Sequence, residues 1–538
     1  MNNAELIVAM LKAAGVERGF GVPSGNVLPL MEAMRTGAID FVLTAHEGSA
    51  GFAADVSARM TGRPGLCIAT LGPGATNLAT GVGCAWLDRS PMIAITCTLN
   101  EAQLGRRIQM WIDHQALFKP ITKGTFVLRA DNVAETVREA LRLAMAEPQG
   151  PVHLDLPEDV AVAQANVSDH PRPSRPPEGA RVQIAAAAAI EKAAEILRRA
   201  KRPLAVIGAS ALRMRSPEAL RHFVERHDIP FATTTMAKGL IDETHPLSLG
   251  CIERARRQLQ RHFIRENADL IVGLGYDTVE VEYEAWAGKI PVLHVDIGHA
   301  DVDASVELAH QVVGDLDSTV IALAAAPAHE KAWARSELAD HRERFHNALR
   351  PRGTTFSPHE AIDAVRRVLP REGVLAFDVG AHTHQIASQW TAHAPRTFLI
   401  TNGWSSMGFG LPVAIAAKLA RPDLPVVCIV GDGCFQMTCG ELTVAAREKL
   451  GIPFVVLDDR WLSLIKVKQE RRALERYGTE LLDAGYPPPP AHYFGVPAVA
   501  ARTAGELETS LTNALVAPGP TVIEAYVDPT AYSETVYD

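Results

Sequence analysis

Two strongly apolar runs, one helix length apart, set the tightest limit on how this 538-residue chain can fold. The first, Val426-Val-Cys-Ile-Val430, ends in Gly431-Asp432-Gly433, and the second, Phe454-Val-Val-Leu457, ends in Asp458-Asp459. Between them Leu442, Val444, Ala445, Ala446 and Leu450 recur at helical spacing. Continuous apolar strands around an amphipathic helix predict a βαβ unit whose strands are parallel and covered on both faces. In such units ligands bind beyond the carboxyl ends of the strands. Asp432 and Asp459 stand 27 positions apart, one past each strand end, so adjacent strands would bring the two carboxylates together. Gly433 lets the backbone approach an anion, and the N–H groups that follow lie near a helix N-terminus. Hard carboxylate oxygens beside such a turn suit Mg²⁺ shared with phosphate oxygens and water. The same residues also fit a structural turn with two solvated aspartates.

The alternation of strand and helix patterns continues along the chain and predicts an α/β protein of three doubly wound, mainly parallel sheets. Residues 1–165 make the first domain, with strands at 41–44, 65–70, 91–96 and 151–156, helices at 4–14 and 27–35, and a turn at 19–23. Residues 164–184, rich in proline, read as a linker. The second domain, 185–330, has strands at 204–208, 230–233, 270–273 and 291–296. Its Gly273-Leu-Gly275 turn is a fragment of a dinucleotide fingerprint that lacks the third glycine, and reads first as a plain strand-to-loop turn. A charged connecting helix at 326–356 leads into the third domain, 357–530, and the first and third domains read as two copies of one architecture.

A net charge of −9 argues against nucleic acid as a partner. Arg106-Arg107 and Arg471-Arg472 read as solvated faces or local anion contacts. Seven cysteines without a C-x-x-C pair, several inside apolar runs, read as small buried residues in a reducing compartment. The apolar run at 6–16 is broken by Lys12 and is too short to span a bilayer. A cytoplasmic protein with no membrane partner is the expectation.

Four segments resemble those of the thiamine-diphosphate-dependent enzymes. Gly431-Asp432-Gly433 and the later pair resemble that family's motif, which begins Gly-Asp-Gly and normally ends Asn-Asn; here the pair is Asp458-Asp459. The resemblance implies Mg²⁺ held by Asp432, Asp459 and the Trp461 carbonyl, with Gly433, Cys434 and Leu464 against the cofactor. A carboxylate in place of an amide adds negative charge facing the diphosphate, which raises the demand for cation. The segment from Thr44 to Asp55 resembles the region whose glutamate hydrogen-bonds the aminopyrimidine ring, which makes Glu47 the counterpart of that group. Its carboxyl would help release the thiazolium C2 proton and leave a carbon nucleophile. Without the resemblance Glu47 reads as a helix-start acid complementing the dipole. The glycine turn at 72–77 adds Pro73 and Asn77 as cofactor contacts. Residues 403–412 resemble the cofactor-bending segment, with Met407 as the wedge and the Ser405 carbonyl accepting from the 4′-amino group. Residues 378–382 resemble the diphosphate-contacting loop, with Ala381 and His382 as contacts. The order of pyrimidine-binding, central and diphosphate-binding domains is similar to acetolactate synthase and benzaldehyde lyase. That likeness implies a homodimer or homotetramer, each site taking its glutamate from one chain and its metal ligands from another.

By the same likeness the substrates are a 2-oxo acid and a carbonyl acceptor, joined after decarboxylation. Ser24, Gly25, Asn26, Gln109, Met110, His114 and Ile465 are the expected pocket residues, with Gln109 touching the reacting group. The adjacent His-His pair of pyruvate decarboxylases is missing, which disfavours simple decarboxylation; a carboligase is the expectation, with a 2-oxo acid decarboxylase or a 2-hydroxyketone lyase as the alternative. The central-domain stretch 275–280 lacks the two arginines with which acetolactate synthases hold FAD, so FAD is not expected. The departure at Asp458-Asp459 also leaves open a cofactor-free scaffold.

Overall fold

Runs of Val, Ile, Leu and Ala without polar interruption can only be strands covered on both sides, and in the computed structural model they build three separate parallel sheets. The structure describes residues 1–166, 182–353, 355–481 and 488–536. The first sheet holds β1 (Arg18–Gly21), β2 (Asp40–Leu43), β3 (Gly65–Thr70), β4 (Met92–Thr98), β5 (Gly124–Val127) and β6 (Pro151–Pro157) in the order 2-1-3-4-6-5. The central sheet holds β7 (Pro203–Ile207), β8 (Phe231–Thr233), β9 (Ser248–Cys251), β10 (Leu270–Leu274), β11 (Val292–Asp296) and β12 (Leu308–Val313). Its order, 12-11-10-7-8-9, is that of dinucleotide-binding folds. The third sheet holds β13 (Val374–Phe377), β14 (Phe398–Leu399), β15 (Val426–Gly431), β16 (Pro453–Asp458), β17 (His492–Tyr493), β18 (Val496–Ala501) and β19 (Thr521–Tyr526). Its order is 14-13-15-16-19-18-17, and β17 is an antiparallel edge strand. With that edge removed, the third sheet repeats the strand order of the first.

Two expectations change. Residues 19–21, read as a turn, lie in strand β1, paired to both β2 and β3. The glycines there serve close packing: a Cβ on Gly21 would come within 2.3 Å of Ile68 O on β3. The helix expected over 442–450 is shorter, Leu442–Arg447, and is preceded by a helix Asp432–Thr438 and a 3₁₀ turn Cys439–Glu441. Most of the linker expected at 164–184 lies outside the described residues. No helix among the described residues is long and apolar enough to cross a membrane.

The first and third sheets share one apolar core. Helix Glu47–Thr61 packs on helix Gly410–Ala420, where Phe52 and Phe409 meet edge to face with centroids 5.5 Å apart. On its other side the same helix crosses helix Pro73–Leu87 so closely that a Cβ on Gly81 would lie 2.5 Å from Gly51 Cα. At this junction the buried Arg59 guanidinium bonds Asp55 and Asp88 and reaches Ile400 O at 2.7 Å. Removing one partner of such a buried pair costs about 3–5 kcal/mol, so these contacts fix how the two sheets sit together.

Candidate active site

In a sheet of this order the chain leaves β13 toward β14 and returns to start β15, which opens a crevice at the carboxyl ends of β13 and β15. A cavity of about 220 Å³ lies there. Its walls include Ala381, His382, Ser405, Met407, Asp432, Gly433, Cys434, Asp459, Trp461, Leu464 and Ile465. These are all the diphosphate-side and metal-side residues that the sequence singled out, brought together from four separate segments.

Strand pairing explains the acid cluster. Gly431 on β15 pairs with Leu457 on β16, so the residues that follow each strand emerge side by side. Asp432 accepts from the N–H of Arg460 at 2.6 Å and of Gly433 at 2.8 Å. Asp459 accepts from Trp461 N–H at 2.9 Å and from the Ser463 hydroxyl at 2.8 Å. Burial, and after it the neighbouring carboxylates Asp459 and Asp458, push the Asp432 carboxyl well above its ordinary range. Burial likewise raises Asp459 and Asp458. Three carboxylates out of water in one place need protons or a cation to offset their charge. Asp458 Oδ1 is buried without a hydrogen-bond partner.

The opposite wall is ready for an acceptor. His382 is 5% exposed and burial lowers its ring to about 4, so it is neutral near pH 7. Its Nε2 has no partner among the described residues. A Cβ on Gly431 would come within 3.1 Å of that ring, so only glycine leaves the gap open. The bend at 402–410 is held by Asp378, fully buried, whose carboxylate accepts from Gly408 N–H at 3.1 Å and Gly410 N–H at 2.8 Å. Ser405 takes a left-handed φ of 52° there, with its hydroxyl donating to Asn402 O at 2.8 Å. Asp378, Ser463 and Tyr532, whose side chain helps close the cavity, were not foreseen. A carboxylate within an apolar strand end, as at Asp378, is the kind of signal that could have flagged the first; a Tyr near the chain end gives none.

The second half of the site stands at the equivalent crevice of the first sheet, where the chain leaves β1 toward β2 and returns for β3. Glu47 opens its helix, and its Oε2 accepts from Asn77 Nδ2 at 3.0 Å. A Cβ on Gly74 would lie 3.4 Å from Glu47 Oε1, and Pro73 caps the same turn, exposed to solvent. Gly72 has φ +58°, and a Cβ on it would collide with Met110 O at 2.3 Å, which seats the 109–110 turn on this crevice. Gln109 and Met110 are solvent-exposed, as is Gly25, and Ser24 is half-buried.

Asn26 and His114, expected in the pocket, are both engaged in hydrogen bonds within the first domain. The Asn26 amide is turned inward: Nδ2 donates to Cys97 O at 2.6 Å and Oδ1 accepts from Thr70 at 2.8 Å. His114 is 2% exposed; its Nε2 accepts from Gly72 N–H at 3.1 Å while Nδ1 faces Asp155 at 2.9 Å. Asn26 thus ties its loop to the ends of β3 and β4, and His114 braces the Gly72 turn. The cavity at Asp432 takes no wall residue from the first domain. The two half-sites are therefore separate features of one chain.

The comparisons with known proteins bear on what these halves belong to. Residues 1–117 match the N-terminal TPP binding domain of thiamine pyrophosphate enzymes, 190–323 the central domain and 378–525 the C-terminal TPP binding domain. The chain is 30% identical to a probable acetolactate synthase large subunit of Methanococcus aeolicus, with 99% of this chain and 93% of that protein covered. It is 29% identical to the acetolactate synthase isozyme 1 large subunit of Escherichia coli (98% and 94% covered) and 32% to the large subunit of Corynebacterium glutamicum (90% and 79% covered). Together with the repeated sheet and the acid-lined crevice, these matches make the chain a member of the thiamine pyrophosphate enzyme family.

Proposed function

We propose that the protein is a Mg²⁺-dependent carboligase of the acetolactate synthase kind, which decarboxylates a 2-oxo acid and joins the remainder to a second carbonyl. The observation that carries this reading is the pairing of two incomplete halves: a carboxylate-lined cavity beside β15 and a Glu47–Asn77 pair beside β3. The residues present fit the cofactor. Asp432 and Asp459 would hold the cation, which offsets their buried charge. The unpartnered His382 Nε2 and the glycine gap at Gly431 suit a diphosphate oxygen. Met407 and the Ser405 turn supply a preformed support in the same cavity. When bound, thiamine diphosphate supplies a carbon nucleophile for the substrate carbonyl. Glu47 holds or releases a proton at Oε1 or Oε2, and Asn77 fixes the rotamer in which it does so. Leu464 and Ile465 give an apolar wall that excludes water from the reacting carbon.

FAD is left out of this proposal, although the groove at the carboxyl ends of the central sheet carries Arg89 and Arg213 beside its acids. Asp277, Glu282, Glu284, Asp296, Asp301 and Asp303 line it, and the Ser210 N–H that would meet a phosphate donates to Gly275 O at 3.0 Å. The two halves meet when two chains pair around a two-fold axis, so a homodimer or a dimer of dimers is the assembly proposed.

Incubation with pyruvate, Mg²⁺ and thiamine diphosphate tests the reaction. Acetolactate and CO₂ are expected; acetaldehyde as the sole product would replace this reading with a decarboxylase. Glu47→Ala should lower turnover by roughly 10²–10⁴ while cofactor affinity changes far less.

A further inference from the structure

The central domain reaches the elements that wall the cofactor cavity through a short turn, residues 253–256, with Glu280 beside it. Its contacts go to three different wall elements. Ser388, on helix Ala381–Gln389 with His382, donates to Glu253 O at 3.1 Å and Ala255 O at 2.9 Å, and Ala255 N–H donates to His384 O at 3.2 Å. Arg256 N–H donates to Thr535 O at 2.9 Å, at the end of the helix that carries Tyr532. Asn402, three residues before Ser405, donates from Nδ2 to Glu253 at 3.4 Å and to Glu280 at 3.3 Å. Asn402 is 5% exposed and its Oδ1 has no partner, so this side chain is held only through its donor end. Glu253 is in turn fixed by Thr235, whose N–H donates to it at 3.1 Å. The backbone pays for the shape: Arg254 has φ +83° and Arg256 φ +52°, left-handed conformations that non-glycine residues hold only where surrounding contacts enforce them.

We propose that this turn is a positioning element for the cofactor cavity, with Glu253 as its key residue. It ties the His382 helix, the Ser405–Met407 bend and the Tyr532 helix to a common point on a domain that contributes no wall residue of its own. The proposal rests on the cofactor reading above. Glu253 touches no reacting group; it acts through Asn402 and the bend that follows.

The test uses the full chain. Amide hydrogen exchange without cofactor should be about tenfold faster at 402–408 in Glu253→Ala than in wild type, with the first-domain sheet unchanged. Thiamine diphosphate affinity, measured by calorimetry in saturating Mg²⁺, should weaken about tenfold in Glu253→Ala and stay within twofold of wild type in Glu253→Gln, which keeps the acceptor oxygen. Asn402→Ala should weaken it similarly, and the double variant no further than either single change. Equal exchange at 402–408 in wild type and Glu253→Ala would overturn the proposal, as would additive losses. Should wild type itself fail to bind the cofactor, the functional reading falls, and the exchange comparison still decides this one.

Discussion

Asp459 stands where the family motif carries an amide, and its surroundings turn that one atom's difference into a pH effect. Burial raises Asp432 and Asp459 together, so on the proposed reading a cation would have to displace protons to enter near neutrality. Cation affinity should therefore rise between pH 6 and pH 8, and Asp459→Asn should flatten that rise; parallel titrations by calorimetry would show equal slopes if the idea is wrong. Asp296 gives a second test. Burial pushes it from 3.8 to about 7. The folded chain keeps that proton across an interval in which an unfolded Asp has lost it, so stability falls as pH rises through the interval. The slope from one such group is at most about 1.4 kcal/mol per pH unit. Asp296→Asn should remove its share, seen as a smaller drop in denaturation midpoint between pH 5 and 7.5 than in wild type. At this scale Asp432, Asp459 and Gly433 could be read from residue type and spacing, whereas Glu47 needed the family resemblance and Asp378 was missed. Asn26 and His114 could not be read so, because whether a polar side chain faces a cavity or braces a loop depends on partners far away in sequence, here Cys97 and Asp155.

Helices Glu47–Thr61 and Pro73–Leu87 carry the two members of the Glu47–Asn77 pair, and Gly51 and Gly81 set how near they lie. Gly81→Val would insert a branched side chain where a Cβ already meets Gly51 Cα at 2.5 Å. Overpacking of this kind costs about 1–3 kcal/mol, and separating the helices should also stretch the Glu47–Asn77 bond. A lowered unfolding midpoint with a fall in turnover beyond that of an equally destabilised core variant elsewhere would bear this out; loss of stability alone would not. The long apolar strands were legible because continuous hydrophobic runs have few alternatives. The short strand β1 was not, since its two glycines look like turn residues until the neighbouring strand's approach is known. The helical turns ahead of the helix between β15 and β16 were equally hidden, because the apolar spacing starts only at Leu442, beyond the 3₁₀ turn at Cys439–Glu441.

At the scale of the molecule, the alternation of strands and helices foretold three α/β domains, and the first and third sheets do share one strand order. On the proposed assembly a second copy of the chain completes each half-site, which one sequence cannot display. Mixing inactive variants addresses it. Equal amounts of Glu47→Ala and Asp459→Ala chains, co-refolded or co-expressed, should recover about a quarter of wild-type activity, since half the two-fold dimers would hold one intact site. No recovery would place both halves within one chain and discard the proposed assembly. The bend anchored by Asp378 carries a kinetic corollary. Its carboxylate is satisfied by the bend's own amides, so the mould is cast before any visitor arrives. Capture of the coenzyme should then proceed at an encounter-limited pace, and analogues that fit poorly should differ chiefly in how soon they leave.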